Sequence, residues 1–464
     1  MSLYSFVKDF HFEQAPLATR QLVLISLLDI LGVAAGARNN QTSSILRQYA
    51  IEHYPGATVA SRILFDGHRV HPLGAAWAGG FCVDSLDAHE GHFTSKGHAG
   101  ATVVPALLAL ADAYREQGHA ISGEEFLSAL CIAYETGLRA GAALMATAPE
   151  YHASGAFSGV GVVCGGARLL GLDEHTFRHA LGIAEYFGPR CPMMRLVDHP
   201  SMLRDAHGAG AYAGINALLL ARAGVTGAPA ETVERSDVAP YWHDLGERWE
   251  IDAQYFKPWP VCRWAQPALT AMEALRREHP DIRAENIERI RVETFHESMR
   301  LQGHAPANAD EAQYALAFPL AALICRGQVG PDEVTGEAIH APDIRALSAR
   351  IEIVEADDLS ERFPEEILSR VHLRLKDGRE LSSVTTAAKG DPATRMSGEE
   401  FREKFHRMAR GALPEAQSKA IERQVAELAA SASCASLFDL ILSRTDGSKA
   451  GPGSESATTE TALG

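Results

Sequence analysis

Ile287-Glu-Arg-Ile-Arg-Val-Glu-Thr-Phe295 alternates apolar and polar side chains as a half-buried strand does, in a chain whose first half is patterned for helices. Around it the same regime continues. Ile351-Glu-Ile-Val354 reads as a second strand, and Val371-His-Leu-Arg-Leu-Lys-Asp377-Gly378-Arg-Glu-Leu-Ser-Ser-Val384 reads as a hairpin about an Asp-Gly turn. Helical spacing at 268–279, 311–326 and 341–350 is interspersed with these strands. Mixed elements of this kind make a small α+β domain.

Toward the N-terminus the period is helical, with apolar residues three and four apart in 19–36, 43–53, 72–84, 101–117, 123–145, 156–171, 174–185 and 206–224. Glycine and alanine are plentiful there, which lets helices approach closely. Beyond the strands, Ser397 followed by Glu399 and Glu400 is a helix start, and 397–445 returns to helical spacing. The fold expected is mainly α: a large all-helical domain over residues 1–266, a smaller α+β domain over 267–398 inserted between its N- and C-terminal parts, and C-terminal helices over 399–446 that return to the first domain. The tail 447–464, rich in Gly, Ser and Thr, has no apolar spacing and is expected to be disordered.

The chain has 464 residues, 46% of them hydrophobic and 22% charged, and a formal charge of −16. Such a charge disfavours nucleic acid and anionic membranes as partners. No run of about 18 apolar residues stands out as a bilayer span, and Met1 to Arg20 lacks the apolar centre of a secretory signal, so a cytoplasmic protein is expected. Seven widely spaced cysteines without a Cys-x-x-Cys pair argue against a disulfide framework or a zinc ribbon. A small anionic substrate is compatible with the charge if cations gather locally, and Lys96, Arg190, Arg195, Arg204, Lys257 and Arg263 all lie in four unusual stretches.

The first stretch, Asp84-Ser-Leu-Asp87-Ala-His89-Glu90-Gly-His92-Phe-Thr-Ser-Lys96-Gly-His98, crowds aspartates, histidines and a lysine just before an apolar helix. Ionisable groups packed so densely suit proton transfer better than a solvated cap for the helix. A metal set of Asp87, His89, His92 and His98 is the weaker alternative, since neither cysteines nor a compact His-x3-His pair accompany it. The second, Tyr151-His152-Ala-Ser154-Gly, enters a Gly-rich helix whose N-terminus could hold an anion, with Ser154 or Ser158 as cap. The third, 188–210, carries Arg190, Arg195, Arg204 and His207 among Gly and Pro and could clamp carboxylates. The fourth, Phe256-Lys257-Pro-Trp-Pro-Val-Cys262-Arg263-Trp-Ala-Gln266-Pro267, is a stiff aromatic crossing between the two periodic regimes. No dinucleotide, P-loop or Gly-x-Ser-x-Gly motif is present.

In order, Asp84-x-x-Asp87-x-His89, His98-Ala-Gly-Ala-Thr-Val-Val-Pro, Tyr151-His152-Ala-Ser-Gly, Met202-Leu-Arg204-Asp-Ala-His207-Gly, Lys257-Pro-Trp-Pro-Val-Cys-Arg263-Trp-Ala-Gln266-Pro and Ala312-Gln313-Tyr-Ala-Leu-Ala-Phe-Pro resemble the MmgE/PrpD family over about residues 15 to 445. That family includes 2-methylcitrate dehydratase, cis-aconitate decarboxylase and iminodisuccinate epimerase. The resemblance implies a helical domain from both chain ends, an α+β lid, a homodimer, no metal or organic cofactor, and a site between the domains for a small di- or tricarboxylate. It places Asp84, His98 and His152 at family site positions. Arg204 stands where many members carry lysine, Gln266 where several carry histidine, and Ala88 where threonine is common.

Arginine keeps its charge and Gln266 can only hydrogen-bond, so proton transfer is expected to fall to His152, His98, His89, Asp84 and Tyr151. Arg204, Arg263, Lys96, His92, His207 and Gln266 are expected to bind substrate. The resulting expectation is a cofactor-independent dehydratase of a small polycarboxylate, with His152 as acid or base at the reacting carbon. An epimerase, racemase or decarboxylase sharing the first proton abstraction is the alternative, and a non-catalytic carboxylate-binding homologue is another.

Overall fold

Residues 1–444 are described by the computed structural model, and the tail beginning at Gly447 lies outside them. The helical part is built on α1 (Leu17–Ala37), α2 (Pro72–Asp84), α3 (Gly100–Glu116), α4 (Gly123–Thr147), α5 (Gly155–Leu170), α6 (Glu174–Phe187) and α7 (His207–Arg222). Helix α5 packs on α4 and α7, α7 on α2, and α2 on α3. Small residues make these approaches possible: a Cβ on Gly161 of α5 would lie 2.3 Å from the carbonyl oxygen of Ala133 on α4.

Helix α1 departs from the expectation drawn from the sequence. Its 21 residues have a mean hydropathy of 1.7 in their most apolar window, enough by length and composition to cross a membrane. That window is 67% buried inside the molecule, however, so its apolar surface already has protein neighbours.

Two short strands, β1 (Gly91–His92) and β2 (Gln254–Tyr255), pair antiparallel and tie the His-rich loop to the Pro-rich crossing. The crossing leads into α8 (Gln266–Glu278). Next come β3 (Ile287–Thr294), α9 (Ala317–Arg326), β4 (Ile351–Glu355), β5 (Leu368–Leu375), β6 (Glu380–Ser382) and β7 (Thr386–Ala387). The sheet runs β4-β3-β5-β6, with β7 also on β5, and only β3 and β4 are parallel. Helix α8 covers β5. Strict alternation cannot put both Ile287 and Ile290 inside, yet both are fully buried. A register shift between Ile287 and Arg289 against β5 supplies the extra residue.

The helical pattern over 311–326 divides into Ala309–Gln313 and α9. Pro319 is the cause, since a proline ring collides with the carbonyl four residues earlier, here Ala315. The start at Ser397 takes the expected form. Ser397 Oγ accepts from the Glu400 N–H and Glu400 Oε2 accepts from the Ser397 N–H at 2.8 Å, opening α10 (Gly398–Ala409). Helix α10 packs on α1, where Lys404 Nζ meets Asp29 Oδ1 at 2.6 Å. The same ammonium donates to the Ala88 carbonyl at 2.7 Å, so the chain's last helices also hold the His-rich loop.

Candidate active site

Asp84 closes α2, and its Oδ2 accepts from the first N–H of α7, that of His207, at 3.3 Å. The chain then folds back across this junction through Asp87 at φ +48° and Lys96 at φ +47°. Arg204 at +45° and Ala206 at +58° introduce α7 in the same left-handed region. Four of the five non-glycine residues with positive φ among those described therefore frame one spot. Backbone strain of this kind persists where surrounding contacts over-determine it and is common at functional sites.

Three imidazoles meet there. The His89 ring centroid lies 4.5 Å from that of His98 and 5.1 Å from that of His207. His98 Nδ1 is 2.6 Å from the Glu90 carbonyl oxygen. A carbonyl can only accept, so the His98 proton sits on Nδ1 and Nε2 carries a lone pair. That Nε2 is 3.6 Å from Asp205 Oδ2, and His89 Nε2 is 3.8 Å from Asp84 Oδ1. His207 Nδ1 contacts Thr102 Oγ1 at 2.7 Å, and its Nε2 lies 3.8 Å from Asp205 Oδ2.

Burial sets the protonation. It raises Asp84 to about 7 and Asp205 to about 6, with Asp205 adding repulsion to Asp84. Burial lowers His89 and His98 well below the ordinary histidine value, and nearby positive charge, Lys257 included, pushes the same way. Near neutral pH the site thus holds uncharged imidazoles beside carboxyls that still keep protons in part.

Cationic groups border this cluster. Arg204 Nη2 pairs with Asp310 Oδ1 at 2.6 Å beneath the Tyr314 ring, while Arg204 Nε and Nη1 are buried without a hydrogen-bond partner among the described residues. Arg263 repeats the arrangement. Its Nη2 pairs with Asp391, its guanidinium lies 4.1 Å from the Tyr255 centroid, and its Nε and Nη1 are buried without a hydrogen-bond partner among the described residues. Tyr255 joins the two halves, its ring 6.2 Å from that of His98. Lys257 Nζ is held by Asp87, at 2.6 Å from Oδ1 and 3.0 Å from the main-chain oxygen.

Several residues expected at the site have other duties. His92 contacts Glu250 Oε2 at 3.1 Å and Ser95 Oγ at 3.3 Å, which engages both ring nitrogens away from the imidazole cluster. Lys96 is exposed, because its left-handed turn keeps a strongly hydrated ammonium in solvent. Gln266 donates both amide hydrogens to the carbonyls of Trp259 and Val261, each at 2.9 Å, and so clasps the crossing to the start of α8. The metal set Asp87, His89, His92 and His98 does not assemble, since Asp87 pairs with Lys257 and His92 with Glu250. Arg190 and Arg195 are exposed, leaving Arg204 as the buried arginine of the third stretch.

The start of α5 is also filled from within. Ser154 Oγ donates to Asp205 Oδ2 at 2.8 Å, the Ser154 N–H donates to Asp205 Oδ1 at 2.7 Å, and Ser154 Oγ accepts from the His98 N–H at 3.0 Å. The anion at that helix end is the chain's own Asp205. Tyr151 is half-buried, and its hydroxyl is raised well above the ordinary value by desolvation first and by Asp205 second. His152 pairs its backbone with Pro192 and keeps a buried, unpartnered Nδ1 among the described residues.

Asp205, Tyr255 and Asp310 escaped selection from the sequence, while Asp87 entered it only in the metal set, Lys257 only among the local cations and Tyr314 only inside a family motif. Asp205 lay inside a stretch singled out for other residues, so charge sign within a motif was the missed signal. Tyr255 and Asp310 carry no local mark, since only folding brings them to the arginines.

Compared with known proteins, the chain matches the MmgE/PrpD N-terminal domain over residues 1–249 and the MmgE/PrpD C-terminal domain over residues 259–429. A cis-aconitate decarboxylase-like protein of Aspergillus oryzae is 26% identical over 427 residues, covering 84% of this chain and 86% of that protein. A cis-aconitate decarboxylase of Aspergillus terreus is 23% identical over 402 residues, covering 80% and 81%.

Proposed function

Since the chain belongs to the MmgE/PrpD family, we propose that it is a lyase acting on a small di- or tricarboxylate, removing a proton beside a carboxylate and eliminating water. One observation carries this reading: two buried guanidiniums, Arg204 and Arg263, keep N–H groups without a partner among the described residues beside a cluster of neutral imidazoles. Buried arginine donors without partners are costly unless an anion meets them, and planar carboxylates match their fork.

His98 is the base we assign, because the Glu90 carbonyl fixes its Nδ1 proton and leaves Nε2 ready to accept. Nε2 takes the carbon-bound proton, and the C–H electron pair forms the new carbon–carbon double bond. The C–O bond on the neighbouring carbon breaks, and its oxygen leaves as water with a proton from Asp84. That carboxyl, raised to about 7, still holds the proton in a substantial fraction of molecules at neutral pH. The two arginines hold substrate carboxylates and the charge that develops on them, the interaction expected to lower the barrier most. His152 Nδ1 and the Tyr151 hydroxyl are left to bind substrate oxygens.

Decarboxylation is the second reading, favoured by the names of the two Aspergillus relatives. There an alkene carbon gains the proton while the bond to a carboxylate carbon breaks and carbon dioxide departs. Proton NMR of a panel of di- and tricarboxylates in deuterated buffer separates the outcomes. A new alkene acid with loss of water is expected, and loss of carbon dioxide would favour the second reading. Deuterium uptake without a new product would replace both with epimerisation. His98→Gln should slow turnover by roughly 10²–10⁴-fold, and wild-type rates in that variant would overturn the assignment.

A further inference from the structure

A buried ion pair that the proposed reaction does not use lies against the His-rich loop. Lys404 of α10 and Asp29 of α1 meet at 2.6 Å between Nζ and Oδ1, and both residues are buried. Burial works against each charge, raising Asp29 and lowering Lys404, and each partner opposes the other's shift. Asp29 Oδ2 is enclosed without a hydrogen-bond partner among the described residues. A buried pair offsets its desolvation only where geometry is good and the remaining lone pairs are satisfied. Stability is therefore a weak reason for this pair, and the second contact of Lys404 is a stronger one.

That contact is with the loop backbone. Lys404 Nζ donates to the Ala88 carbonyl at 2.7 Å, and one residue earlier Lys257 Nζ donates to the Asp87 carbonyl at 3.0 Å. Two buried ammoniums thus grip consecutive peptide carbonyls. Asp87 is the residue at φ +48°, a conformation that a residue with a side chain holds where its surroundings over-determine it. Two residues beyond Ala88 stands Glu90, whose Oε1 accepts from the Gly100 N–H at 2.7 Å. Its carbonyl is the one that accepts the His98 Nδ1 proton at 2.6 Å.

We propose that Lys404, paired with Asp29, is a positioning residue that fixes the loop so that the Glu90 carbonyl meets His98 Nδ1 and Nε2 is left as the base. The inference rests on His98 being the base of the proposed reaction. Lys404 acts through Ala88 and Glu90, from the last helices of the chain to a loop more than three hundred positions earlier.

The test replaces both partners at once in the full-length chain, Asp29→Leu with Lys404→Met. Apolar residues of similar shape in place of a buried ion pair are often neutral or stabilising, so a thermal midpoint within a few degrees of wild type is expected. The ¹⁵N signals of histidine-labelled protein, with those of His98 identified by their loss in His98→Gln, read the tautomer without substrate. Wild type should show His98 protonated on Nδ1 alone, and the double variant should show both tautomers. With the acid identified by proton NMR, kcat should fall about 10–100-fold while KM stays within about twofold, since the base is displaced and Arg204 and Arg263 are untouched. Where the apolar pair disturbs folding, Asp29→Asn with Lys404→Gln keeps an uncharged hydrogen-bonding pair one bond too short for the Ala88 carbonyl, and the same tautomer change is expected. A single Nδ1-protonated tautomer in a folded double variant would overturn the inference, whatever the kinetics. Mixed tautomers with wild-type kcat would keep the positioning role and remove His98 as the base.

Discussion

The paired arginines are the residues whose environment is hardest to explain without an anion. Arg204 gives one nitrogen to Asp310, and its Nε and Nη1 are buried without a partner among the described residues. Arg204→Met should therefore raise KM for the true substrate far more than it lowers kcat, with kcat/KM falling about 100-fold for the loss of roughly 2–3 kcal/mol of charge-assisted bonding. Steady-state kinetics with the acid identified by NMR gives the split; an unchanged KM would remove Arg204 from the binding role. Sequence showed that an arginine stood there and that it would keep its charge. It did not show Asp310, because a partner more than a hundred positions away is chosen by topology. The His98 tautomer was hidden for the same reason, being set by a backbone carbonyl that every residue possesses. His92 and Lys96 were overvalued because density along the chain says nothing about direction. A loop that reverses at Asp87 and Lys96 sends neighbouring side chains opposite ways.

At the scale of elements, the site is a junction of helix ends. Helix α2 delivers Asp84 at its last residue, α7 delivers His207 at its first, and α5 starts on Asp205. Periodicity located these helices well, to within a residue or two at most ends, because apolar spacing is a local property. Their mutual approach depends on glycines at particular crossings, which composition alone cannot place. Gly80 on α2 is one such crossing. A Cβ there would lie 2.7 Å from Gly208 Cα, 2.8 Å from the Gly208 nitrogen and 3.0 Å from the His207 carbonyl carbon, all of them backbone atoms. No rotamer change relieves such an overlap, so Gly80→Ala must push α7 away from α2. Strain of about 1–3 kcal/mol is expected, and the Asp84–His207 contact should open with it. Misplacement of about 1 Å costs on the order of 100-fold in rate. Thermal melting and kcat/KM measured together check both effects; a stable variant with wild-type kinetics would show that the junction is more pliable than its packing implies.

For the whole molecule, the buried ionisable groups govern how stability varies with pH. Burial raises Asp84 and Glu90 to about 7, and Asp29 contributes further to Glu90. In the unfolded chain such carboxyls titrate near 4. From about pH 4 to 7 the folded protein therefore binds more protons at these positions than the unfolded chain, and stability falls as pH rises through that range. The buried histidines act oppositely. His89, His98 and His207 are lowered, so between their folded values and about 6.5 the unfolded chain binds more protons, and stability rises with pH. Above about pH 6.5 the histidine contribution is complete while the carboxyl contribution is still being lost. The thermal midpoint should then decline from pH 6.5 to 8. Glu90→Gln isolates the cause, since Glu90 Oε1 accepts from the Gly100 N–H at 2.7 Å and an amide oxygen can do the same. The Glu90 Oε2 atom is buried without a hydrogen-bond partner among the described residues, so the main effect of the variant is to remove a charge. Its midpoint should match the wild type near pH 5, exceed it by a few degrees at pH 8, and fall less steeply between pH 6.5 and 8. Differential scanning fluorimetry across that range reads the slope directly. Parallel curves for the two proteins would mean that Glu90 is not the group losing its proton, and a wild-type midpoint rising above pH 6.5 would reverse the sign assigned to the buried carboxyls.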